Sequence, residues 1–163
     1  GHDRAGLLGG VGEGLRCVGL GTGLSERRMT MANVIREERM NDHFLKQHLD
    51  DGRVRHIFTA ADGPYADPHD HPWGFTSSIE GGGYVEQVFD LSRPHDPPQE
   101  ITRRPGDTFR NEAGTIHRII RLLESECVTV IEPGPHERKP GFYQFREDDP
   151  WHRFWDGDWQ KIG

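Results

Sequence analysis

Long apolar runs are missing from this 163-residue chain. No stretch approaches the roughly 20 consecutive apolar residues that a membrane-spanning helix requires, so no membrane partner is expected. Hydrophobic residues make up only 33% of the sequence and the mean hydropathy is −0.80. A core built from so few must be compact, under a polar surface. Cysteine is nearly absent. Cys17 and Cys127 lie far apart and form no Cys-x-x-Cys, and they read as buried or free thiols in a reducing cytosol, which sets a cytoplasmic location as the expectation. Excess positive charge is missing too: the net charge of −7 argues against nucleic acid as a partner. At the start, glycines stand where a signal peptide needs an apolar core.

Glycine and proline are plentiful, at 21 and 11 residues. They favour many turns and short strands over long helices, within the size of a single domain. Nine of the glycines precede Ser25. Ordering such a segment carries a high entropy cost, so residues 1–31 are expected to be a glycine-rich arm, or leader material before a start at Met29 or Met31. Gly19-Leu20-Gly21-Thr22-Gly23 has the look of a dinucleotide loop, but no apolar strand precedes it and no βαβ pattern surrounds it.

The remaining residues, 32–163, form one expected domain. Residues 32–50 read as a single short helix, with Val34, Ile35, Asn41, Leu45, His48 and Leu49 near one face and Arg36 to Arg39 around the other. Gly52 suits a left-handed cap at its end. From Arg53 the period becomes alternating, with Val54, His56 and Phe58 on one strand face. Short strands then recur between turns. Phe75 to Ile79 and Tyr84 to Leu91 are read as a hairpin closed by Gly81-Gly82-Gly83, and Ile116 to Leu122, Cys127 to Ile131 and Phe142 to Arg146 follow. Eight to ten short strands separated by turns are the pattern of a sandwich or small barrel.

The chemistry centres on His69-Asp70-His71-Pro72-Trp73-Gly74. Residues i and i+2 of a strand project to the same side, so His69 and His71 can grip one metal ion. The best third ligand is His117. If His117 points inward, strand parity brings Ile119 and Arg121 with it. Arg121 then either clamps a substrate carboxylate in bidentate fashion or forms an ion pair with Glu86 or Glu112. Glu86 is either a site residue, as a fourth ligand or a proton-moving catalytic group, or an exposed strand carboxylate. His56 is either a hydrogen-bond partner behind a ligand or an ordinary strand residue. Trp73, Phe75 and Tyr84 are the expected walls of a substrate pocket.

These residues resemble the cupin family, whose first motif reads G-x5-H-x-H-x3,4-E-x6-G and second G-x5-P-x-G-x2-H-x3-N. Gly63, His69, His71 and Gly82 or Gly83 match the first; Gly106, Gly114 and His117 match the second. The HDHPW stretch is similar to that of small bacterial and phage cupins. Three departures stand out. Phe75 or Thr76 occupies the place of the first motif's glutamate, Glu112 that of the second motif's proline, and Arg121 that of its asparagine. The resemblance implies an all-β double-stranded β-helix, a jelly-roll barrel, carrying the arm and the helix at its N-terminus and pairing as a homodimer. It also implies one divalent metal on His69, His71 and His117. Fe(II) is favoured, with Ni, Mn, Zn or Cu as alternatives. Without an anionic ligand the ion keeps its full charge, which suits a small anionic substrate and a mononuclear non-haem dioxygenase. The alternatives are a non-catalytic metal- and ligand-binding module and a metal-dependent isomerase or lyase in which Glu86 moves a proton.

Overall fold

The computed structural model describes residues 32–147 and 149–163, so the expected arm and Cys17 lie outside the described residues. Among the described residues the architecture is all β, without a helix. Twelve strands are present: β1 (Val34–Asn41), β2 (Phe44–Leu49), β3 (Val54–Phe58), β4 (Phe75–Gly81), β5 (Tyr84–Phe89), β6 (Gln99–Arg103), β7 (Thr108–Asn111), β8 (Ile116–Leu122), β9 (Cys127–Pro133), β10 (Gly141–Phe145), β11 (Pro150–Phe154) and β12 (Gln160–Lys161). Among the described residues there is no helix long and apolar enough to cross a membrane.

Every ladder is antiparallel. One sheet runs β1-β2-β3-β9-β4-β7; the others run β6-β5-β8 and β10-β11-β12. His69 joins the latter two, bridging His117 of β8 on one side and Phe142 of β10 on the other. Counting β3, the His69 segment and β4 to β9 as eight strands in chain order, the first pairs with the last, the second with the seventh, the third with the sixth and the fourth with the fifth. That nesting defines a jelly roll, a long hairpin rolled into two facing sheets. The core lies between them, around Ile79, Tyr84 and Cys127, with Phe58, Phe109, Ile119 and Leu122 packed against it. Cys127 is a buried free thiol.

Two expectations are corrected. Residues 32–50 are not a helix but the hairpin β1–β2, turning at Asp42-His43, where the His43 amide donates to Asn41 Oδ1 at 2.8 Å. The charges assigned to a helix face are cross-strand partners: Gln47 Nε2 donates to Glu37 Oε1 at 2.8 Å, and His48 lies 3.1 Å from Glu38. Val34 and Ile35, β-branched and stiff, begin a strand and stay exposed instead of turning toward a core. Gly52 does take a positive φ, 86°, but in the β2–β3 turn.

The second correction concerns β4 and β5. They are not paired as a hairpin, since β4 pairs with β7 and β9 while β5 pairs with β6 and β8. Gly82 and Gly83, with φ of 73° and 100°, carry the chain from one sheet to the other. A Cβ on Gly82 would lie 2.0 Å from the Glu126 carbonyl, and one on Gly83 would lie 2.4 Å from that of Arg103, so only glycine passes here.

Candidate metal centre

Between the sheets lies a cavity of about 600 Å³. The six-stranded sheet lines it with alternate residues of four strands: Phe44 and Lys46, His56 and Phe58, Thr129 and Ile131, Phe75 and Ser77. The facing sheet supplies Tyr84, His117, Ile119 and His69. Such alternation follows from the strand period of two.

His69, His71 and His117 meet on its wall. One ring nitrogen from each lies within 4.8 Å of the other two. The ring centroids form a nearly equilateral triangle with sides of 5.1, 4.9 and 4.9 Å. The main chain sets this convergence. His69 N donates to His117 O at 2.9 Å and His117 N to His69 O at 3.0 Å, which locks the two segments in register. Trp73 stacks by His71 at 6.1 Å, and Phe75 meets its edge at 4.8 Å.

Asp70, between the two histidines, faces the opposite way and is buried. Its Oδ1 accepts from Gly141 N at 2.8 Å; its Oδ2 accepts from Tyr143 Oη at 2.7 Å and pairs with Arg138 Nη2 at 2.9 Å. The same alternation that turns the imidazoles inward therefore anchors the segment to β10 from behind. Burial, the Asp70 hydrogen bond and its charge push the Tyr143 phenol pKa up.

Glu86 has no exposure, so it is not an exposed strand carboxylate. Neither does it join the three rings as a ligand: its Oε2 lies 3.3 Å from His117 Nδ1 and its Oε1 lies 3.1 Å from Arg103 Nη2. A carboxylate only accepts, so Nδ1 carries the hydrogen and Nε2 is the nitrogen left to face the cluster. Burial raises the Glu86 pKa, but the hydrogen bond and charge of His117, with Arg103, bring it below the usual carboxylate range. Arg103 in turn lies over the Phe109 ring at 3.6 Å.

Burial, reinforced by the charge of His117, lowers the His69 pKa to about 4, and burial with the same neighbour lowers His71 to about 2. Both rings are therefore neutral at pH 7, with lone pairs to offer. The Nδ1 of His71 is buried without a hydrogen-bond partner. An orphaned buried nitrogen in a cluster of three imidazoles fits a metal-binding role.

Of the expected pocket walls, Trp73, Phe75 and Tyr84 all line the cavity. Arg121 does not. It is exposed, because a bulge opposite Val85 and Glu86 leaves Ile120 unpaired and reverses the strand parity after Ile119. Leu122 packs inward instead. His56 is a wall residue, edge-on to Phe44 and Phe58, and it is not a partner behind a ligand. Sequence reasoning missed Lys46, Phe44 and His43, all of which line the cavity from the segment read as helix. Strand alternation within Phe44 to Leu49 was the available signal.

Fold and site together define a jelly-roll protein with a three-histidine cluster inside its sandwich. No family model matches the chain, and no curated protein matches it. Solved structures similar to it include the CENP-C cupin domain of Drosophila melanogaster, at 9% identity and a TM-score of 0.47 over 64% of this chain and 76% of that one. Bacillus subtilis oxalate decarboxylase is similar at 11% identity and a TM-score of 0.48, over 64% of this chain and 29% of that one. Hydroxypropylphosphonic acid epoxidase from S. wedmorenis is similar at 11% and 0.45, over 63% and 55%. The assignment to the jelly-roll class rests on this chain's own ladder order.

Proposed function

We propose that the chain is a metal-binding cupin in which His69, His71 and His117 hold one divalent ion, Fe(II) before the other first-row metals, and that it acts as a mononuclear non-haem dioxygenase on a small anionic molecule. The observation that carries the reading is the triangle of three imidazoles, with one ring nitrogen of each within 4.8 Å of the others, opening onto the cavity. Its volume of about 600 Å³ falls in the range of small-molecule sites. A divalent ion on three neutral donors supplies an undiminished positive charge and open coordination positions.

The chain's own residues do the rest. His117 is held in one tautomer and one orientation by Glu86. Asp70 fixes the backbone from which His69 and His71 project. Trp73 and Phe75 flank His71 and, with Tyr84, keep water from that wall. The isomerase or lyase alternative needs Glu86 to reach a substrate. Glu86 lies behind His117 and does not line the cavity, so no observation favours that reading.

The test is anaerobic loading with Fe(II), followed by O2 uptake against a panel of thiols, diketones and hydroxy acids. Uptake above the free-metal control that is lost in His117→Ala supports the proposal. Stoichiometric metal and ligand-dependent thermal shifts without any uptake would instead make the protein a binding module.

A further inference from the structure

Among the described residues, Lys46 is the one lysine or arginine lining the cavity. It stands on β2 directly opposite His56 of β3, on the strand face that also presents Phe44, and its Nζ lies 5.5 Å from the centre of the Phe44 ring. No ion pair holds this ammonium among the described residues. Glu38 faces it across the β1–β2 ladder and is held below the usual carboxylate range first by its hydrogen bond with His48 and then in part by the Lys46 charge. That carboxylate nevertheless lies against His48 at 3.1 Å and Arg36 at 3.9 Å, forms no ion pair with Lys46 and does not line the cavity. The only carboxylate in the lining among the described residues, Asp62, accepts the Ile119 amide at 3.0 Å. The ammonium is close enough that its charge opposes protonation of His56 and of His71.

An unpaired cation beside aromatic walls attracts an anion more strongly than the same cation in open water, because the walls screen it less. The cavity thus has two places that call for electron-rich groups, the imidazole triangle and Lys46. We propose that Lys46 is the specificity-determining residue of this cavity: it receives the anionic end of a small ligand whose other end carries a donor atom for the metal. The inference rests on the metal reading given above and adds the substrate class, a two-ended molecule with a carboxylate or like anion set apart from its metal-binding donor. Lys46 thereby takes the part that sequence parity had offered to Arg121.

The test uses two probes with the same neutral donor, imidazole-4-propionate and the corresponding alcohol, 3-(imidazol-4-yl)propan-1-ol. Each is titrated into protein loaded with Co(II), read by the cobalt absorption bands, and into metal-stripped protein, read by tryptophan fluorescence, since Trp73 lines the cavity. Wild type is expected to bind the carboxylate tenfold or more tightly than the alcohol. Lys46→Met and Lys46→Gln should lose that preference while cobalt uptake and affinity for the alcohol stay unchanged, and Lys46→Arg should keep it. Failure of the wild type to take up cobalt would remove the metal reading alone. A carboxylate preference that persists in stripped protein and vanishes in Lys46→Met still upholds the lysine's role. Equal affinity for both probes in wild type, or a preference unchanged in both lysine variants, overturns it.

Discussion

His117 Nδ1 and Glu86 Oε2 lie 3.3 Å apart, and this contact links a ring of the histidine triangle to a carboxylate with no exposure to solvent. A carboxylate behind a metal-binding imidazole fixes its tautomer and raises its basicity, and losing such a partner typically costs about 10–100-fold in metal affinity. Glu86→Gln keeps the shape and removes the charge. Competition against a chromophoric chelator should therefore show affinity for Fe(II) or Co(II) reduced by about that factor, with the number of sites unchanged. An unaltered affinity would mean that the contact does not act through His117.

His117→Ala should go further and remove the site. The triangle needs all three rings, and the remaining pair, His69 and His71, comes from one short segment. Elemental analysis of protein grown without added metal should show close to one equivalent in wild type and only background in the variant, with the all-β circular dichroism spectrum retained. Metal at wild-type occupancy in the variant would show that it sits elsewhere.

Much of this site was legible in the sequence, for a physical reason. His69 and His71 are two apart, so their common side follows from the pleat, and His117 matched the glycine offsets of the second cupin motif. What failed was parity carried across an irregularity. Arg121 is four residues beyond His117, and the bulge at Ile120 lies between them; a bulge depends on the partner strand, which the sequence of β8 does not display. The β1–β2 hairpin was hidden by charge. Its Arg and Glu residues sit at spacings that serve a helix face as well as a cross-strand ladder, and only pairing with β3 decides between them. Lys46 went unnoticed for the same reason.

Arg121→Ala is the direct check of that correction. An exposed arginine outside the cavity makes no contact that the site needs. Stability should move by no more than about 0.5 kcal/mol, metal content should not change, and both imidazole probes should bind as in wild type. A selective loss of carboxylate binding would return Arg121 to the site.

Tyr143→Phe tests the anchor behind the histidine pair. It deletes a 2.7 Å hydrogen bond to Asp70, whose side chain is buried with Arg138 and the Gly141 amide as its remaining partners. Hydrogen bonds to charged groups contribute about 1.5–3 kcal/mol. The melting temperature should fall by roughly 4–8 °C for a loss of about 2 kcal/mol in a domain of this size. Because the other two contacts hold Asp70 in place, metal stoichiometry should be retained. A variant as stable as wild type would show that the Asp70 cluster contributes little to holding the segment.

The pH dependence of the metal-free protein should follow the buried imidazoles. His56 is lowered to about 3, chiefly by burial and then by the charges of Lys46 and His48, and His69 is lowered to about 4. An unfolded histidine titrates near 6.5. Between the two values the unfolded chain binds a proton that the folded chain refuses, so stability is fully present above about pH 6.5 and declines as the pH falls. The slope is at most about 1.4 kcal/mol per pH unit for each such ring. Glu86, also lowered, has the same sign but enters only below its ordinary carboxylate range. Urea denaturation of stripped protein should therefore show midpoints dropping steadily from pH 7 to pH 5, before any carboxylate titrates. His56→Phe, which keeps an aromatic ring against Phe44 and Phe58, should flatten that slope. Midpoints that stay constant across this interval would show that these rings are not held neutral by the fold.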